Sequence, residues 1–113
     1  MKKEPTFWAN IYLGLREGYG NKVHDITEIH SFIQIYCNEN KIGVTVTPTT
    51  FFYVDGYDDG VIIGLINYPR YPMPKMKIIT IAQNLGKELL KKFNQERLSI
   101  VFPNETIMLE KNN

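Results

Sequence analysis

Three arginines and a set of neutral hydrogen-bonding residues are the parts of this 113-residue chain best suited to chemistry. Arg16, Arg70 and Arg97 each offer a planar donor fork that matches a phosphate or a carboxylate. Asn10, Thr45, Thr47, Asn67 and Ser99 add neutral hydrogen bonds. Gly18, with Gly20 nearby, lets backbone come close to a bound group. Tyr12 and Tyr68 supply flat rings against which a base can stack. Together these residues suit a small molecule that bears phosphate. They do not form a catalytic constellation: no paired carboxylates, nucleophile–base pair or metal-ligand spacing is visible among them. Glu17 is the one acid beside the cluster. The expectation is a binder rather than an enzyme, with no metal and no cofactor.

Other chemistry-bearing residues have plainer readings. Cys37 falls on the apolar stripe of a helix and reads as core rather than as a nucleophile. His24 and His30 lack partner motifs and read as surface or packing residues. Asp55, Asp58 and Asp59 suit a hairpin turn better than a calcium loop. A single cysteine excludes an internal disulfide framework, so a reducing cytoplasm is the expected compartment. The net charge of +1 favours neither a nucleic-acid polymer nor an anionic membrane. No apolar run reaches the ~20 residues needed to span a bilayer, and the first residues lack the apolar stretch of a signal peptide.

The elements that must position these residues follow from hydrophobic period. From Phe7 to Arg16 apolar residues alternate with others, the period of a strand. Asp25 and Glu28 form a capping box, and a helix runs from there to about Asn40. Residues 43–54 favour a strand, and Pro48 makes it an edge. A turn over residues 55–60 leads into a central strand over residues 60–68. Pro69, Pro72 and Pro74 stiffen the connection to a second helix, from Lys75 to about Phe93. Residues 97–102 make the last full strand, and residues 106–109 extend the sheet only as a short addition. The chain reads as one domain with a core from about residue 7 to residue 110.

This order predicts an α+β fold of the ferredoxin-like βαββαβ type, a four-stranded antiparallel sheet with two helices on one face. Trp8, Asn10, Tyr12, Gly14, Arg16, Arg97 and Ser99 then share the open face. Arg16 and Arg97 meet at one end of it. The third strand is expected to run parallel to the first and finish at that same end, where the second strand starts, so that Asn67, Arg70, Thr45 and Thr47 join them there. Trp8 does not: about eight residues of strand separate it from Arg16, or roughly 26 Å. It reaches a ligand at Arg16 only from a neighbouring subunit, which predicts a homo-oligomer with sites between protomers.

The segments Tyr12-Leu-Gly-Leu-Arg-Glu-Gly-Tyr19, Val44-Thr-Val-Thr-Pro-Thr49 and Gly64-Leu-Ile-Asn-Tyr-Pro-Arg70 resemble a family of small phage proteins. They are similar to the first type of anti-defence protein directed against the Thoeris system. The resemblance implies a non-catalytic sponge for a cyclic ADP-ribose-type signalling nucleotide such as glycocyclic ADP-ribose. It also implies homo-oligomers with separate sites for cyclic oligonucleotides, and a paired-arginine feature that maps onto Arg16 and Arg97. Two other readings compete. A regulatory module of the PII or ACT kind would bind a phosphorylated metabolite and a host protein. An RNA-binding sheet would need a basic surface that this composition lacks.

Overall fold

The computed structural model describes residues 1–111. Alternation places β1 at Trp8–Gly14, with Ala9, Ile11 and Leu13 fully buried and Trp8, Asn10, Tyr12 and Gly14 on the other face. Helix α1, Ile26–Asn40, starts where the capping box predicts: the Asp25 carboxylate accepts from the Thr27 and Glu28 end of the first turn, and Glu28 accepts from the Asp25 N–H at 2.7 Å. It ends at Lys41, whose left-handed backbone (φ 57°) turns the chain out of the helix.

Strands β2, Thr45–Tyr53, and β3, Gly56–Ile66, form a long hairpin. Its turn is tighter than the six residues expected from composition. Tyr53 already pairs with Gly56, so Val54 and Asp55 alone make the turn, with Asp55 at φ 60°. The acidic run 55–59 is therefore mostly strand. Helix α2 spans Lys75–Lys92, β4 spans Arg97–Val101 and β5 spans Thr106–Glu110.

The sheet order is β2-β3-β1-β4-β5, with every neighbouring pair antiparallel. The first four strands have the predicted order, and Pro48 lies on the edge strand as its missing N–H requires. Two corrections follow. The sheet has five strands, because residues 106–110 pair fully along β4 and are not a mere appendage. And β3 runs antiparallel to β1, pairing Trp8 with Ile66 and Gly14 with Gly60. The ends of β3 are thus swapped relative to the sequence expectation.

The core lies on one side of the sheet. Val61, Ile63 and Leu65 of β3 and Leu98 and Ile100 of β4 join the buried side chains of β1 beneath α2, which contributes Ile78, Ala82, Leu85 and Leu89. Helix α1 adds Ile29, Ile33 and Tyr36. The two helices are tied together by Phe32 standing edge-on to Phe93 at 5.7 Å and by the Tyr36 hydroxyl donating to Asn84 Oδ1 at 2.6 Å. Burial, with the nearby Glu88 and Cys37, pushes the Tyr36 hydroxyl up to about 12, so it stays a donor. Gly86 marks where α2 sits close on the sheet: a Cβ there would meet Leu109 at 2.8 Å and Ile100 at 3.1 Å. Among the described residues, no helix covers the opposite face of the sheet.

Candidate functional site

On the open face, at the end where β1 finishes and β4 begins, the chain forms a concavity of about 320 Å³. Tyr12, Gly14, Arg16, Gly18, Tyr19, Phe51, Asp58, Gln95, Glu96, Arg97, Leu98 and Ser99 line it. Arg16 and Arg97 both line it, together with Tyr12, Gly18 and Ser99. The other expected site residues lie elsewhere. Because β3 is antiparallel to β1, Asn10 and Thr45 flank Gly64 toward the Trp8 end, and Thr47 faces Ile62 in mid-sheet. Asn67 and Arg70 follow the end of β3 beside Trp8, not beside Arg16. The Asn67 side chain is a structural staple: its amide nitrogen donates to the Pro5 carbonyl at 2.9 Å and its oxygen accepts from the Met73 N–H at 2.7 Å.

In place of those residues the antiparallel hairpin delivers Asp58 and Phe51. Asp58 pairs with Phe51 across the hairpin and faces Arg16. The Arg16 Nε donates to the Asp58 carboxylate at 2.8 Å, and the Tyr53 hydroxyl donates to its other oxygen at 2.7 Å. Arg16 holds the Asp58 carboxyl below its usual range, with the Tyr53 hydroxyl adding to the effect. Arg16 is in turn raised, chiefly by its hydrogen bond to Asp58. Since folding lowers the Asp58 value, the bridge is intact above the ordinary carboxylate range, near ~4, and is lost as pH falls through the lower folded value. Acidification through that lower folded value should therefore free the Arg16 and Tyr53 side chains. Following the Arg16 Nε–H by NMR checks this, and Asp58→Asn should remove the transition.

Arg97 is less committed. It has one side-chain partner among the described residues, the Tyr19 hydroxyl at 3.4 Å, which also raises its pKa. Tyr19 is carried by the loop 17–24, and that loop is held from below. Arg16 bridges to Val23, the Glu17 N–H donates to the Lys22 carbonyl, and the His24 N–H donates to the Leu15 carbonyl. His24 is buried between Glu17 (2.8 Å) and Glu28 (3.2 Å) and packs edge-on to Phe93, a larger structural role than its sequence context suggested. Glu17 sits below its usual range, first through Asn94 and then through His24 and Lys22. It is thus occupied in fixing the loop. Gly18 (φ 41°) needs its missing side chain, since a Cβ would sit 3.1 Å from Glu96 in a strained backbone.

Sequence reasoning missed Asp58, Phe51 and Gln95. Composition places Asp58 in a turn, whereas the hairpin register makes it a strand residue. Gln95 is buried and donates to the Arg16 and Phe93 carbonyls, tying the end of β1 to the start of β4. A lone glutamine after a helix carries no recognisable pattern. Cys37 lies near the core as expected, and burial pushes its thiol up, away from a nucleophilic thiolate.

A pocket with this mixture of guanidinium, carboxylate and aromatic groups can hold a zwitterionic or anionic small molecule with a flat ring. Solved structures of similar shape sharpen the comparison. The chain is similar in fold to a phage SAM lyase. It matches that protein in complex with S-methyl-5′-thioadenosine with a TM-score of 0.81 and 17% identity, over 98% of this chain and 94% of the other. It matches the apo phage SAM lyase with a TM-score of 0.79 and 19% identity, over 95% and 90%. No family model matches the chain, and no curated protein matches it. The expectation of a non-catalytic protein is corrected here, because the solved fold that this chain shares is that of an enzyme. The likeness to the anti-Thoeris family has no counterpart among these matches. No helix of the described residues is long and apolar enough to cross a membrane.

Proposed function

We propose that this chain is an enzyme that binds a sulfonium nucleoside in the open-face pocket and breaks its carbon–sulfur bond, converting S-adenosylmethionine to S-methyl-5′-thioadenosine. The observation that carries this reading is the extent of the fold likeness, 98% of the chain on a phage SAM lyase. The charges of the pocket support it. Arg97 suits the carboxylate of the methionine part. Asp58 and Glu96 suit its ammonium and sulfonium charges. Tyr12, Tyr19 and Phe51 offer rings for the adenine.

The chemistry also accounts for the lack of a catalytic pair. Sulfur leaves as a neutral thioether and keeps the electron pair of its bond to the γ-carbon. The substrate's own carboxylate forms the new bond to that carbon and closes a five-membered lactone. The ammonium group retains the single positive charge, so atoms and charge balance without water, base or protein nucleophile. The protein then has to fold the substrate so that carboxylate oxygen, γ-carbon and sulfur lie in line. Because the step merges an anion with a cation, partly apolar walls favour it over bulk water. Trp8 lies at the far end of β1, so we assign it to the pocket of a neighbouring protomer in a homo-oligomer.

One observation favours a second ligand class. Two arginines on one pocket also suit a pyrophosphate, and so a cyclic ADP-ribose-type nucleotide of the kind made by Thoeris TIR enzymes. Incubation with S-adenosylmethionine followed by mass spectrometry separates the two. The proposal predicts S-methyl-5′-thioadenosine and a lactone in equal amounts. Full recovery of S-adenosylmethionine, with retention of a cyclic ADP-ribose isomer from a TIR reaction, would favour the second.

A further inference from the structure

A larger cleft, of about 880 Å³, opens between the C-terminal end of α1 and the proline-rich segment before α2. Its charge is one-sided. Lys41, Arg70 and Lys77 line it, and no acidic residue does. Among the described residues none of these three cations forms a salt bridge. The open-face pocket, by contrast, sets Asp58 and Glu96 against its arginines. The floor and walls of the cleft are apolar or aromatic: Cys37, Ile42, Tyr68, Tyr71, Pro72 and Met73.

The backbone sets where these three side chains start. The Tyr71 N–H donates to the Tyr68 carbonyl at 3.0 Å, which closes a turn with Arg70 at its corner. The Arg70 guanidinium lies 5.3 Å from the centroid of the Tyr71 ring, a cation–π contact that orients it. The Asn67 staple and three prolines stiffen this wall. Lys41 is set by the left-handed turn that ends α1. Lys77 sits in the first turn of α2, a helix end with no side-chain cap and no acidic residue. Lysines at that end oppose the helix dipole, an arrangement that a bound anion relieves.

We propose that this cleft is a second small-molecule site, for a phosphate carried on an aromatic body. The phosphate sits among Lys41, Arg70 and Lys77, and the ring lies against Tyr68, Tyr71 and Met73. It is separate from the open-face pocket, since Arg70 follows the end of β3 that pairs with Trp8 while Asp58 lies near the other end. It therefore does not depend on the reaction proposed there.

The test is NMR titration of the labelled protein with 1-naphthyl phosphate, with 1-naphthol and inorganic phosphate as its two halves. The expected result is saturable shifts at the amides of Lys41, Ile42, Gly43, Arg70 and Tyr71, with 1-naphthyl phosphate at least about 10-fold tighter than either half. The double variant Lys41→Gly, Arg70→Ala should weaken it by about 10-fold or more. Glycine suits the left-handed position, so this variant keeps the turn, and an unchanged amide spectrum elsewhere confirms its fold. Shifts confined to Tyr12, Gly18 and Ser99, equal affinity for 1-naphthol, or unaltered binding by the double variant would each overturn the proposal.

Discussion

Arg97→Ala is expected to weaken S-adenosylmethionine binding by about 10- to 100-fold while leaving S-methyl-5′-thioadenosine binding nearly unchanged. The difference arises because S-methyl-5′-thioadenosine lacks the amino-acid portion of S-adenosylmethionine, and with it the carboxylate that Arg97 is assigned to hold. Arg97 is exposed and its one side-chain contact, to Tyr19, is long, so its removal leaves little in the free protein unsatisfied. Lysine should restore only part of the loss, since it keeps the charge and gives up the planar fork. Arg16→Ala has a different expected pattern. It strips Asp58 of its principal partner and so disturbs the wall of the pocket for both ligands. Calorimetric titration of the two ligands against both variants reads this contrast. Equal weakening of both ligands by Arg97→Ala would remove the carboxylate from its role.

The second large effect belongs to Gly60→Ala. A Cβ at Gly60 would lie 2.2 Å from the Phe51 ring and 2.6 Å from the Leu13 carbonyl oxygen. The ring can swing away, but the carbonyl is part of the β1–β3 ladder and cannot. The expected cost is about 1–3 kcal/mol of stability, as for other overpacked sites, read from the urea midpoint. Ligand affinity should fall as well, because the displaced Phe51 ring lines the pocket. A variant with wild-type stability and binding would show that the pocket wall does not depend on Phe51 seating over a bare strand.

The faces of the strands were legible from sequence, and their directions were not. Period-two alternation in residues 8–14 sorts Ala9, Ile11 and Leu13 from Trp8, Asn10 and Tyr12 without any knowledge of neighbours. The capping box at Asp25 and Glu28 located α1 to the residue for the same reason, since the signal is local. Which end of the sheet a residue occupies depends on strand direction, a property of the whole chain. Reversing β3 sent Asn67 and Arg70 to the Trp8 end and brought Asp58 and Phe51 to Arg16. The fifth strand was visible as β-prone residues, but its full pairing along β4 depends on tertiary contact with α2 through Leu109 and Gly86. The absence of a catalytic pair in the sequence does not imply absence of catalysis. That inference fails wherever the substrate supplies its own nucleophile.

The proposed reaction stands on the nucleoside sitting in the open-face pocket between Arg16 and Arg97. NMR titration of the labelled protein with S-methyl-5′-thioadenosine tests it most directly, because this ligand lacks the anionic group that the cleft at Arg70 requires. Saturable shifts are expected at the amides of Tyr12, Gly14, Gly18, Arg97 and Ser99. Shifts confined to Lys41–Gly43 and Tyr68–Met73, or no saturable shifts at all, would contradict it.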